Sequence, residues 1–112
     1  MTNFSLSDLE KIVADRASAS SAESYTAKLK DKGIGHVAKK LGEEATETVI
    51  ALVSEDDERV TSESADLVYH LLVALHLRGI PVSDIFAELG RRTSMSGLDE
   101  KASRTPDGSL DG

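Results

Sequence analysis

From Leu67 to Leu77 the chain sets Leu67, Val68, Leu71, Leu72, Val73, Ala74, Leu75 and Leu77 around nearly every side of a helix. A helix that is apolar all round must be covered all round, and 112 residues hold only one modest core. The pattern therefore predicts a helical protein in which a second subunit covers part of this helix. The stretch contains His70 and His76 and is too short to span a bilayer.

The rest of the chain supports an all-α reading. Ser7-Asp8-Leu9-Glu10 reads as a capping box opening a helix that runs to about Ala17. A short helix is expected from Ser24 to Lys32, interrupted by Gly33 and Gly35, and a longer one from about His36 to Val53. On that helix Val37, Ala38, Leu41, Ala45, Thr48, Val49, Leu52 and Val53 share one arc and are expected to face the core. Ser54 to Asp57 is a polar break with acids suited to a helix start. The apolar helix then runs to Arg78, ended by Gly79 and Pro81. Ser83 is expected to cap a last short helix that Gly90 stops. No stretch alternates apolar and polar residues, so no strand is expected. Gly33 to Ala38 satisfies a dinucleotide fingerprint, but no strand precedes it, so the match is set aside. Residues 1–104 are expected to form a single domain, and Thr105 to Gly112 a disordered tail.

Charge narrows the function. The net charge of −7 argues against nucleic acid or a membrane surface as partner, since both demand clustered positive charge. The absence of cysteine excludes disulfides, thiolate metal sites and thiol nucleophiles. The start lacks a basic then apolar leader, which points to a cytoplasmic protein. The charge is also uneven. Ser24 to Lys40 carries five lysines against Asp31, a net +4, whereas Leu41 to His70 carries nine acids against Arg59, a net −8.

Residues three apart share a helix face, so Glu44 with Glu47, and Glu63 with Asp66, each present two carboxylates to one side. If the two helices pack antiparallel, the pairs meet, and four carboxylates together are costly unless a cation lies among them. Hard oxygen donors without Cys or His point to magnesium, with manganese as a substitute, and leave room for more than one ion. The bland alternative is a solvated acidic face. It is weakened because Glu63 and Asp66 stand at the approach to the most apolar helix in the chain.

The spacing Glu43-Glu44-x-x-Glu47, fifteen residues, Glu63-x-x-Asp66 resembles the all-α nucleoside triphosphate pyrophosphohydrolases of the MazG type. The surrounding residues are more specific: Ser24 to Leu29, Lys32-Gly33, Lys39 to Glu47, and Ala65-Asp66-Leu67-x-Tyr69-His70-Leu71-Leu72. Together with Arg91-Arg92 and Ser96-Gly97-Leu98-x-Glu100-Lys101, they resemble the phosphoribosyl-ATP pyrophosphatase family of histidine biosynthesis. The resemblance implies a homodimeric bundle of four to five helices that cleaves phosphoribosyl-ATP between its α and β phosphorus atoms. It also implies Glu44, Glu47, Glu63 and Asp66 as metal ligands; Glu44 and Glu47 are candidate catalytic residues together with Glu43, which either supports a ligand or orients the water. Lys28, Lys39, Lys40, Arg91 and Arg92 are candidates for substrate phosphates. His70 is either a substrate contact, reaching also to the Asp66 carboxylate, or a buried structural histidine. Tyr25 and Tyr69 are either core residues or platforms for adenine. A house-cleaning hydrolase of (d)NTPs and a non-catalytic helical dimerisation module remain the alternatives.

Overall fold

A computed structural model describes residues 3–94. Five helices follow one another: α1 (Leu6–Ala17), α2 (Tyr25–Lys32), α3 (Ile34–Ser54), α4 (Asp57–Arg78) and α5 (Val82–Thr93). There is no strand among the described residues. The expected tail from Thr105, and the Ser96 to Lys101 signature, lie outside them. The described residues divide into two units, one running to Val82 and the other beginning at Ser83. No single described helix is long and apolar enough to cross a membrane.

In the first unit α3 and α4 form an extended pair, joined through Glu55 and Asp56. Asp56 caps α4 by accepting the Arg59 N–H at 2.9 Å, and Asp57 and Glu58 add negative charge to that helix's positive end. Val13, Leu29, Val37, Leu72, Val73 and Val82 form the buried core, drawn from α1 to α4 and the first residue of α5. Gly33 is the whole connection between α2 and α3, at φ +94° and ψ 170°, a backbone region that L side chains rarely adopt. Gly79 ends α4 in the left-handed conformation, and the Ile80 N–H reaches the Leu75 carbonyl at 2.9 Å.

Several expected boundaries move. The first capping box is formed by Ser5 and Asp8, not Ser7 and Glu10. Both sets fit the pattern, but starting at Ser5 brings Leu6 into the helix, where it packs against the core. Glu10 instead accepts the Val82 N–H at 2.8 Å, so α5 begins at Val82 and Ser83 is not its cap. Gly90 does not stop α5, which continues to Thr93. A mid-helix glycine costs only about 1 kcal/mol, and Glu88 bridges it by bonding both Arg91 and Arg92.

The largest correction concerns α3. Its buried positions are Val37, Glu44, Thr48 and Ala51, whereas Val49, Leu52 and Val53, assigned to the core from sequence, are exposed. Hydropathy selects the most apolar arc, but the face packed on α4 is the one carrying Glu44 and Thr48. The apolar remainder, including Val53 at 79% exposure, points outward.

Candidate metal and phosphate site

Glu44 on α3 and Glu63 on α4 face each other across the helix pair. They are 9% and 6% exposed, which is rare for carboxylates. Thr48 clamps the same crossing: its buried hydroxyl lies 2.8 Å from the Glu44 carbonyl and 3.2 Å from that of Glu63. One carboxylate oxygen from each of Glu44, Glu63 and Asp66 falls within 4.8 Å of the others. The Oε1 atoms of Glu44 and Glu63 are buried and have no hydrogen-bond partner. Two orphaned acceptors beside a third carboxylate form a cradle suited to a hard cation. Burial is the main cause that raises the Glu63 carboxyl above its ordinary range. Glu47 beside it raises it further, and Arg59 opposes both.

Of the four ligands expected from sequence, three are gathered within ligand distance of one another. Glu44, Glu63 and Asp66 form the trio, while Glu47 lies against Glu63 from the exposed side of α3. Glu43 points away and pairs with Lys40 at 3.5 Å.

Two clefts share Tyr25 as a lining residue, and only the second reaches one of the three carboxylates, Asp66. A cavity of about 480 Å³ is lined by Lys28, Lys32, Lys40 and His36, with Tyr25 at its wall. Lys40 is held above the ordinary lysine range, through Tyr25 first and Glu43 second, with a smaller contribution from Glu44. Lys39 is exposed and does not line this cavity. A second cavity of about 500 Å³ opens onto Asp66 and is lined by Arg16, Tyr25, Tyr69 and His70 among others. Arg91 and Arg92 belong to the second unit, where both bond Glu88 at 2.8 and 2.9 Å.

His70 is buried and bonds the Asp66 main-chain carbonyl through Nδ1 at 2.8 Å, not the Asp66 carboxylate. A carbonyl only accepts, so Nδ1 carries a proton, and Nε2 is hydrogen-bonded to the Tyr25 hydroxyl at 3.0 Å, accepting from it in the neutral ring. Tyr69 is hydrogen-bonded to Thr26. Sequence reasoning missed Arg16, Lys32 and His36 as cleft residues. Lys32 was visible in the basic run, but Arg16 sits at the end of α1 and reaches the site only through the fold. The carboxylate spacing anticipated the meeting of Glu44, Glu63 and Asp66.

Fold and site together define an all-α protein with three carboxylates gathered between two paired helices, a group that could hold a cation, and a lysine-rich cleft nearby. The model of the family described as phosphoribosyl-ATP pyrophosphohydrolase matches residues 6–93. The chain belongs to that family. It is 60% identical over 104 residues to the phosphoribosyl-ATP pyrophosphatase of Rhizobium meliloti (strain 1021), covering 93% of this chain and 97% of that one. The enzyme of the same name from Agrobacterium fabrum is also 60% identical, and that of Methylobacterium nodulans 58%, with the same coverage.

Proposed function

We propose that this chain hydrolyses phosphoribosyl-ATP to phosphoribosyl-AMP and pyrophosphate, an early step of histidine biosynthesis, with magnesium at the Glu44, Glu63 and Asp66 cradle. The observation that carries the reading is the pair of buried, partnerless Oε1 atoms of Glu44 and Glu63 beside Asp66. Family membership supplies the substrate class. Magnesium bound there neutralises phosphate charge and favours attack by water.

The chain's own groups divide the remaining work. Glu47, exposed beside Glu63, orients the attacking water and takes its proton. Water oxygen bonds to the α phosphorus, the bond from that phosphorus to the bridging oxygen breaks, and pyrophosphate leaves with the electron pair. Lys28 and Lys40, with Lys32 and His36, offer positive charge and donors to phosphate oxygens in the basic cleft. Glu43 fixes Lys40 rather than touching the reacting atoms. Lys39, Arg91 and Arg92 remain candidates for phosphate contacts, and His70 orients Tyr25 at the wall shared by both clefts.

The same reading includes a cytoplasmic homodimer, with residues 1–104 as one functional domain and 105–112 as a tail. Val49, Ile50, Leu52 and Val53 on α3, with Val68 and Leu71 on α4, are exposed apolar residues on the two long helices, a surface suited to a second copy of the chain. The test is pyrophosphate release from phosphoribosyl-ATP and from a dNTP panel, with and without magnesium. Turnover of phosphoribosyl-ATP is expected, abolished by Glu44→Gln or Asp66→Asn in folded protein. Turnover of dNTPs alone would replace this reading with a house-cleaning one. Absence of metal-dependent hydrolysis would leave only a dimerisation module.

A further inference from the structure

Arg59 is the only base between Leu41 and His70, a stretch with nine acids. It lies one turn before Glu63 on α4, and its Nε is 3.2 Å from Glu63 Oε2. The same nitrogen is 3.3 Å from Oε1 of Glu55, the residue that follows α3, so the guanidinium pairs with two carboxylates at once. Its side chain is 60% exposed, while that of Glu63 is 8% exposed. The contact engages one oxygen of a buried carboxylate, while the other, Oε1, is buried without a hydrogen bond in a residue whose carboxylate gathers with those of Glu44 and Asp66.

We infer that Arg59 is a positioning residue for the metal cradle: by holding Glu63 Oε2 it aims Oε1 at the cation and fixes Glu63 as a one-oxygen ligand. The inference rests on the metal-dependent reading above. Ligating carboxylates are themselves hydrogen-bonded, and losing such a support lowers metal affinity by about 10- to 100-fold. A competing effect has the opposite sign, because Arg59 also repels the ion. Across a water-facing distance of about 6 Å and in physiological salt, that repulsion is worth about threefold in affinity. Orientation wins, so removing Arg59 weakens binding even though it removes a positive charge.

The test is titration of the metal-free full chain with Mn²⁺, followed by calorimetry and by the loss of the free-ion paramagnetic resonance signal. Arg59→Gln is expected to raise the Kd at least tenfold, with the helical circular dichroism unchanged. Arg59→Lys, which keeps the charge but not the rigid fork, is expected to recover part of that loss. Glu55→Gln leaves the Glu63 contact in place and is expected to stay within threefold of wild type. Wild-type binding with Arg59→Gln unchanged or tighter overturns the inference and leaves the metal reading standing. A wild-type chain with no saturable Mn²⁺ binding overturns both.

Discussion

Thr48 links α3 and α4 beside Glu44 and Glu63, so its hydroxyl offers a direct measure of how this crossing is built. It is 7% exposed and donates toward two carbonyls, at 2.8 Å within α3 and 3.2 Å across to α4. A hydroxyl has one proton, so the two contacts count as about one net hydrogen bond, worth about 1 kcal/mol. Thr48→Val keeps the shape and removes that bond. Both carbonyls lie within helices, so the substitution leaves no unpaired acceptor and its cost stays near that figure. Thr48→Ala also removes a buried methyl group, for a total of about 2 kcal/mol. In a unit of this size 1 kcal/mol moves the Tm by roughly 4–8 °C. Thermal unfolding followed by circular dichroism should therefore rank wild type above Val above Ala in nearly equal steps. The cross-helix bond also sets the spacing of Glu44 and Glu63, so the Tm gain on adding magnesium should shrink in Thr48→Val. A valine variant as stable as wild type beside a damaged alanine variant would refute the reasoning, because packing alone would then hold the crossing.

Magnesium should raise the Tm of the wild-type chain: at a free concentration 100 times the Kd the stabilisation is about 2.7 kcal/mol. Glu44→Gln should lose most of that gain in the same melt. Glu88, bonded by Arg91 and Arg92, has its pKa lowered to about 2 from 4.5. Its contribution to α5 is therefore present above about pH 4.5 and is lost as pH falls from there toward 2, which a carboxyl-detected NMR titration would read directly. Replacing Val53 with Asp on the outward stripe should shift sedimentation toward a smaller species without lowering helicity. An unchanged sedimentation coefficient would remove that stripe from any subunit contact.

Helix number and order were readable from periodicity because each helix has a start or stop that sequence states, such as Ser24, Gly33, Asp56 and Gly79. Ser5 and Ser7 both satisfied the capping pattern, and only the packing of Leu6 separated them. The meeting of Glu44, Glu63 and Asp66 was readable for a simple reason: helical spacing carries side-chain direction with it. The inward face of α3 was not, because a hydropathy count treats a buried Glu44 as a surface residue. Arg16 and Arg59 escaped for another reason. Their relevance depends on what lies across a cleft or on which oxygen of Glu63 is engaged, and one-dimensional spacing contains neither.

Gly33 is the single residue between the helix that supplies Lys28 and the helix that supplies Glu44, at φ +94° with open space where a Cβ would stand. Crowding does not exclude a side chain there; the backbone torsion does, at about 1–3 kcal/mol. In terms of the gene, this makes one codon unusually exposed. Every change at its first or second base replaces glycine, and only the third base is free. Each residue that replaces it there would strain the joint between the helix carrying Lys28 and the helix carrying Glu44 while leaving both of those side chains in the sequence.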